Sequence, residues 1–197
     1  MTAGIDERKQ ALRADLRERR NALGVSERER LGIHVSERLQ AFVLERGAHR
    51  VSAYLSTPSE PNVRPFLEWA RAHDVTVLLP ITREDGLLDW IVDERGEEFI
   101  GVYGMPEPDG ELLGPMAVCD VDLMIIPAAA VDHDGYRLGW GRGYYDRTLG
   151  SMQHAPPVAA VVFDHELLQA VPRDVHDQAV DAIITPERTI LLTEKAH

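Results

Sequence analysis

One cysteine, Cys119, stands in the 197 residues. A lone thiol makes no intramolecular disulfide and gives a metal cluster nothing to rest on; its expected place is the core, not a nucleophile's position. Also missing is any apolar run near the roughly 18 residues that a membrane-spanning helix needs. The N-terminal stretch carries charge throughout, unlike a secretory leader, so the cytoplasm is the expected location. No internal repeat or low-complexity linker interrupts the chain. Positive charge is scarce, with 21 Lys and Arg against 33 Asp and Glu and a net charge of −12. A uniformly acidic surface repels nucleic acid and anionic membranes, and neither is expected as a partner. What is present in quantity is apolar: 44% of residues are hydrophobic, enough for a real core, and the length fits one domain over 1–197.

Against this acidic background one stretch reverses the sign. Within Gly135–Leu149, three arginines (Arg137, Arg142 and Arg147) meet a single aspartate, Asp146, for a local charge of +2. Glycines occupy positions 135, 139, 141 and 143. Lacking a Cβ, they let backbone N–H groups converge on an anion. An apolar run, Val121–Pro127, leads in, and a helix over Tyr144–Leu149 follows. Strand, glycine-rich loop and helix N-terminus together form a phosphate-binding arrangement. Asp146 is placed to hold Mg2+, which prefers hard oxygen ligands. The stretch is neither a Walker A loop nor a dinucleotide fingerprint, since the glycine required after Gly139-Trp140-Gly141 falls on Tyr144. A glycine-rich turn that binds nothing is the alternative; the paired tyrosines and the carboxylate argue for a site.

Elsewhere the pattern is helix, then strands alternating with helices, which predicts an α/β fold with a largely parallel sheet. Ile5–Leu23 reads as a helix with Leu12, Leu16 and Leu23 near one face. Lys9, Arg13 and Arg17 lie four apart along a neighbouring face, continued by Arg20. Periodicity alone favours a solvated charged face; the alternative is that Lys9 and Arg13 reach phosphates held by the glycine loop. Ser26 and Glu29 have the spacing of a capping box for a second helix that Gly47 ends. Arg50–Leu55, Val75–Leu79 (ended by Pro80), Leu87–Val92, Asp122–Ile126, Pro157–Phe163, Ala182–Thr185 and Ile190–Thr193 read as strands, and Asn62 as the cap of a helix to His73. Glu60 lies in a loop at the carboxyl end of the first strand, where ligands bind in open α/β sheets. It is a candidate substrate ligand, although a solvated loop carboxylate is the commoner case. The pattern breaks from Asp93 to Gly114, too long for an empty connector. There Tyr103 and Met105 offer either a wall for a flat ring or anchors for the loop. Asp174, His176 and Asp177 crowd together near the C-terminus, as a metal site or as a polar turn.

Taken together, these residues resemble the 5-formyltetrahydrofolate cyclo-ligase family. The resemblance covers nearly the whole chain. It rests most heavily on Pro127–Asp146, with Asp132, Gly135, Arg137-Leu138-Gly139, Gly141 and Gly143-Tyr144-Tyr145-Asp146. Lys9-x-x-Leu12-Arg13, Leu55-Ser56 with Glu60, and Val171-Pro172 with Asp177 add three elements in the right order. The resemblance implies a three-layer α/β/α fold shared with sugar-phosphate isomerases and CoA-transferases. It also implies ATP- and Mg2+-dependent closure of 5-formyltetrahydrofolate to 5,10-methenyltetrahydrofolate; a monomer is the expected state. Carried over by position, Lys9, Arg13, Arg137, Leu138 and the loop Gly139, Trp140, Gly141, Arg142, Gly143, Tyr144 and Tyr145 would hold ATP. Leu55, Glu60, Tyr103, Trp140, Gly143 and Tyr144 would contact the folate. Arg137 and Tyr144 would act in the reaction, and Asp146 and Asp177 would bind Mg2+. Two alternatives stay open: a family-like binding protein without turnover, and a sugar-phosphate isomerase on the same architecture. The second would need a positioned carboxylate base and no ATP.

Overall fold

The computed structural model describes residues 2–101, 104–174 and 177–192. Two long helices open the chain, α1 (Thr2–Ala22) and α2 (Val25–Arg46), followed by β1 (Arg50–Ser52) and α3 (Arg64–Ala72). A strand-rich stretch comes next: β2 (Thr76–Thr82), β3 (Leu88–Val92), β4 (Glu98–Ile100), β5 (Pro106–Pro108) and β6 (Leu112–Leu113). Then come β7 (Leu123–Pro127), β8 (Ala130–Asp132), β9 (Arg137–Leu138) and α4 (Tyr144–Gly150). The last strands are β10 (Val158–Val161), β11 (Leu167–Leu168), β12 (Ala182–Ile184) and β13 (Thr189–Leu191). Among the described residues, no helix is long and apolar enough to cross a membrane.

The main sheet runs β13-β12-β10-β7-β1-β2-β3-β6. The five strands from β12 to β2 are parallel, while β13, β3 and β6 join antiparallel. From β1 the chain moves outward on one side to β2 and β3, then returns to β7 and moves outward on the other. The order therefore reverses between β1 and β7, and a crevice opens outside their carboxyl ends. The loop that carries Glu60 leaves from β1, and the segment that leads through β8 and β9 to the glycine loop leaves from β7.

The central strands read as unbroken apolar runs because both of their faces are covered. Successive side chains point to opposite faces. Leu123 and Ile125 of β7, Ala159 and Val161 of β10, and Val77 and Leu79 of β2 join one core with α2 and α3. Met124, Ile126, Val158, Ala160 and Leu78 join a second core with Val118 and with Leu149 of α4. Two cores on two faces make the expected three-layer α/β/α architecture.

A smaller sheet, β11-β8-β9, carries the central motif. The β8–β9 turn is held by Asp132, whose Oδ1 accepts the N–H groups of Asp134 (3.1 Å) and Tyr136 (2.9 Å). Gly135 sits in that turn at φ +86°, and a Cβ there would lie 2.5 Å from Leu192 and 2.9 Å from the Val180 carbonyl. Both conformation and space exclude a side chain. α1 docks on this sheet rather than on the main one. Leu16 is buried there with Ala129, Ala130, Leu138 and Val171, and Leu12 lies against the same cluster. One buried leucine is worth about 1.5–3 kcal/mol, little to fix a helix of 21 residues. Its polar contacts, described below, supply the rest.

Several sequence expectations are corrected. α2 starts one residue before Ser26, with Gly24 as N-cap and no side-chain cap bond, so no capping box forms. Glu27 pairs with Arg30 instead. Gly47 ends α2 as expected, left-handed at φ +60°. The first strand stops at Ser52, because the chain beyond it bends into a loop in which Tyr54 Oη and Ser56 Oγ both donate to the Pro61 carbonyl, at 2.9 and 3.0 Å. Val63, not Asn62, is the N-cap of α3, although Asn62 Oδ1 accepts the Arg64 N–H. Pro80 does not end β2. The β1–β2 register finishes at Leu78, and Pro80 opposes Trp90 of β3 beyond it. On the β1 side a missing N–H loses nothing there. The Asp93–Gly114 segment, too long for an empty connector, contains the β4–β5 hairpin and β6. Thr193, His176 and Tyr103 lie outside the described residues.

Candidate functional site

A cavity of about 310 Å3 occupies the crevice at the β1–β7 switch. The glycine loop gives it Arg137, Gly139, Trp140, Arg142, Gly143, Tyr144, Tyr145 and Asp146; the loop after β1 gives it Thr57, Ser59 and Glu60; and Arg17, Met105 and Pro127 complete it. A narrower recess of about 80 Å3 adjoins it, shares Thr57, Glu60, Met105, Pro127, Tyr144 and Tyr145, and adds Leu55 and Glu107. The volume falls in the range of small-ligand sites, roughly 300–1,000 Å3. Another hollow, of about 320 Å3, is lined by Glu94, Glu97, Asp109 and Glu111 with Arg95. Its excess of carboxylates makes it a poor place for an anion.

Arg137 stands on β9 with its side chain 6% exposed. Its Nη1 donates to the Gln178 carbonyl at 3.0 Å, and its Nη2 pairs with Asp146 Oδ1. Lys9 Nζ donates to Asp174 (2.8 Å) and Asp177 (3.1 Å). Burial pulls the Lys9 ammonium down, but hydrogen bonds to Asp174 and Asp177 outweigh it and hold the pKa above the ordinary lysine value. Since Asp177 and Gln178 are neighbours, Lys9, Asp177, Arg137 and Asp146 form one run of contacts from α1 to α4. Arg13 Nε donates to the Gly139 carbonyl at 2.7 Å. The charged face of α1 is therefore turned onto the glycine loop, contrary to the solvated face that periodicity favours.

Gly141 and Gly143 take positive φ, +96° and +69°. Gly143 leads into α4, which has only seven residues. So short a helix adds little dipole, and the positive potential rests chiefly on arginines and loop N–H groups. Arg147 turns away from the cavity: its guanidinium donates to the carbonyls of Gly86 (2.7 Å) and Arg142, tying the loop to the β2–β3 turn. Trp140 lies under two cations, Arg20 at 4.8 Å and Arg17 at 5.4 Å from its ring centroid.

Glu60 is not a solvated loop carboxylate. Its Oε2 accepts the Thr57 N–H at 2.9 Å and the Thr57 hydroxyl at 3.0 Å. Burial pushes its carboxyl above the ordinary glutamate value, although the Thr57 bonds pull the other way. Tyr145 lines the same recess, and burial, with Glu60 adding to it, pushes its hydroxyl well above the ordinary tyrosine value. It stays protonated and remains a donor. On the far wall Glu107 accepts the Thr82 N–H at 3.1 Å and is also bonded by the Thr82 hydroxyl.

Most of the predicted site residues that fall within the described residues line this crevice or touch a residue that does, while Lys9 and Asp177 stand further back, joined to it through Gln178 and Arg137. Tyr103 and His176 lie outside the described residues. Sequence reasoning assigned no role to Arg17, Thr57, Ser59 or Glu107. Only Arg17 had left a signal, as the third member of the Lys9–Arg13 row. Among the described residues, no group of three His, Cys, Asp or Glu side chains could by itself hold a metal ion. Mg2+, however, usually takes one or two carboxylates together with substrate phosphates and waters. Asp146, 56% exposed at the cavity lip, fits that donor set.

The fold and crevice define a three-layer α/β protein with an arginine- and glycine-lined cavity beside a recess that holds Glu60 and Glu107. Known proteins narrow the class. A family model described as the 5-formyltetrahydrofolate cyclo-ligase family matches residues 5–186, and the chain belongs to that family. It is 35% identical over 153 residues to a 5-formyltetrahydrofolate cyclo-ligase of Mycolicibacterium smegmatis, covering 75% of this chain and 79% of the relative. It is 28% identical over 178 residues to one from Escherichia coli, covering 88% and 97%. In structure it resembles the 5,10-methenyltetrahydrofolate synthetase of Aquifex aeolicus, with TM-score 0.80 and 27% identity over 96% of this chain and 95% of that one. A Mycoplasma pneumoniae synthetase, at 24% identity and TM-score 0.71 over 89% and 97%, has the same fold.

Proposed function

We propose that this protein closes 5-formyltetrahydrofolate to 5,10-methenyltetrahydrofolate at the expense of ATP, releasing ADP and phosphate. The observation that carries this reading is the continuity of the two spaces: the arginine and glycine cradle opens directly into the recess that holds Glu60. A triphosphate and a pterin held there would have their reacting ends in contact.

A formyl oxygen is a poor leaving group, and transfer of the γ-phosphoryl onto it makes it a good one. The formyl oxygen attacks phosphorus, ADP departs, and a phosphorylated imidate results. N10 then adds to the activated carbon and loses its proton, and the C–O bond breaks to release phosphate. Such phosphoryl transfer depends on positioning and charge neutralisation more than on covalent help. Arg137 and Arg142 with the loop N–H groups neutralise the phosphates, and Lys9 and Arg13 brace the cradle from α1. Asp146 and Asp177 would hold Mg2+, which supplies further neutralisation of the phosphate oxygens. Glu60, ionised, accepts from pterin N–H groups, and Tyr144 with the Tyr145 hydroxyl orients the formyl group. The apolar and aromatic walls keep water from the imidate.

The test is turnover. ATP should be hydrolysed only when 5-formyltetrahydrofolate is present, with methenyltetrahydrofolate absorbance appearing, and formyl 18O should be recovered in phosphate. Folate binding without product would reject the reaction, and label recovered in water rather than in phosphate would reject the imidate.

Glu60 supplies a second prediction. Its carboxylate must be ionised to accept, so the KM for folate should rise as pH falls through its raised pKa. Glu60→Gln should abolish that dependence and raise the KM about ten- to a hundredfold, as expected for losing a charged hydrogen bond of about 1.5–3 kcal/mol. A pH profile unchanged by the substitution would remove Glu60 from the pterin. The sign for stability is opposite. Across the window between the ordinary and the raised pKa the folded chain binds a proton more tightly than the unfolded one, so the stability contributed by Glu60 falls as pH rises.

A further inference from the structure

Arg142 stands between Gly141 and Gly143, which take φ +96° and +69°. Glycine adopts most backbone conformations with little preference, so neither neighbour fixes which way the peptide between Arg142 and Gly143 faces. That peptide is trans and planar, and its C=O and N–H point in opposite directions. The carbonyl accepts Arg147 Nη2 at 2.5 Å. Gly143 lines the cavity and Arg147 does not. With the carbonyl drawn out toward Arg147, the Gly143 N–H is turned the other way, into the cavity. Among the described residues that N–H has no acceptor. Arg147 is itself held from outside the loop, since its Nε donates to the Gly86 carbonyl at 2.7 Å. Gly86 belongs to a braced turn between β2 and β3. There Arg83 pairs with Asp85 (2.7 Å) and Asp89 (3.1 Å), and Asp85 Oδ1 accepts the Leu87 N–H at 3.1 Å.

We infer that Arg147 is a positioning residue: it locks the Arg142–Gly143 peptide with its N–H toward the triphosphate and its carbonyl away from it. The inference rests on the proposed reading of the cavity. Turned over, the same peptide would present a carbonyl oxygen to the phosphates, exchanging one donor for a repelling dipole. Two flanking glycines make that rotation easy, and the fork of Arg147, joined to both the loop and the β2–β3 turn, opposes it. The guanidinium also lies 5.6 Å from the ring centroid of Tyr144, the next residue of the cavity wall. Arg147 is exposed, and exposed side chains contribute little to stability. Its contacts therefore bear on the shape of the loop more than on the survival of the fold. Gly86 gives a second handle on the same contact. A Cβ there would lie 2.7 Å from Arg147 Nε and Nη2, so Gly86→Ala displaces the guanidinium from a turn that does not line the cavity.

The experiment compares Arg147→Met, Arg147→Lys, Gly86→Ala and the Arg147→Met/Gly86→Ala double variant with the unaltered chain. Steady-state kinetics, melting curves and crystal structures of the nucleotide-free proteins are the readouts. Arg147→Met should lower kcat/KM for ATP about ten- to a hundredfold, the size of one lost hydrogen bond to a charged group. The KM for folate and the melting curve should change little. The structure of that variant should show the Arg142 carbonyl facing the cavity. Arg147→Lys, with a compact ammonium in place of a fork, should recover part of the rate. Gly86→Ala should reproduce the loss, and the double variant should be no worse than Arg147→Met alone, because both changes act on one contact. An unmoved peptide, or a turned peptide with unaltered ATP kinetics, overturns the inference. Equal losses for ATP and folate with a lowered melting temperature would make Arg147 a structural residue and overturn it too, as would additive effects of the two substitutions. Absence of turnover in the unaltered chain would reject the proposed reaction, while the orientation of the peptide in Arg147→Met would still decide whether Arg147 sets it.

Discussion

Replacing Arg137 with methionine is expected to lower kcat/KM for ATP about 10²–10³-fold, the effect of removing one donor aimed at developing charge, roughly 2–4 kcal/mol. Three features make this the largest single effect on catalysis. The side chain is 6% exposed, so no solvent competes for its donors. Its guanidinium is fixed from two sides, by the Gln178 carbonyl and by Asp146. It also links the Lys9–Asp177 pair on one flank of the cradle to Asp146 on the other. Methionine keeps the stem's packing and removes the fork. Asp146, largely exposed, is left hydrated rather than stranded, so the fold should persist. Arg137→Lys retains the charge but not the two-pronged geometry and should recover only part of the rate. Steady-state kinetics with a melting curve on the same samples checks this. An unaltered rate in a folded variant would take Arg137 out of the reaction; a collapsed melting curve would assign it to the fold.

The largest effect on stability is expected at Arg20 and Glu166. Both side chains are 0% exposed, with Nε–Oε1 at 2.6 Å and Nη2–Oε2 at 2.8 Å. Arg20 also donates to the Ala128 carbonyl, Glu166 accepts the Phe163 N–H, and Arg20 Nη1 is buried without a partner. Arg20→Met would leave a carboxylate buried and uncompensated, which costs about 3–5 kcal/mol. For a chain of this length that corresponds to a fall in Tm of roughly 6–20 °C. Arg20→Met with Glu166→Gln removes both charges and keeps an acceptor for Phe163, so most of the loss should return. Urea or thermal unfolding of the two single variants and the double decides. A single variant within about 1 kcal/mol of the unaltered chain would mean that water reaches the pair. Because Arg20 also lies over Trp140, the single variant should change the indole fluorescence, connecting this ion pair to the glycine loop.

Local patterns in the sequence carried a large part of this structure. The apolar runs around 51, 77, 124, 159 and 183 sit in parallel central strands because residues covered on both faces need no alternation. Gly47 ended its helix because a left-handed residue there needs no Cβ. The glycines at 135, 141 and 143 mark a loop that no other residue would build. Other patterns misled. Ser26 and Glu29 have capping-box spacing, but α2 begins a residue earlier and its cap is backbone alone. Pro80 should stop a strand, yet it stands where β1 no longer pairs. In the Asp93–Gly114 segment the short β4–β5 hairpin and β6 have too few residues to show a period.

By itself, then, the chain determined the alternation of strands and helices and the electropositive glycine loop, because spacing and φ preference act between near neighbours. Tertiary structure alone decided which charges would be withdrawn from water. Helical spacing treats Lys9, Arg13, Arg17 and Arg20 alike; they differ because Asp174, Gly139, the indole of Trp140 and Glu166, all more than a hundred residues away, meet them differently. Glu60 became a partly buried acceptor for the same reason, since desolvation depends on what covers a group rather than on what precedes it in the chain.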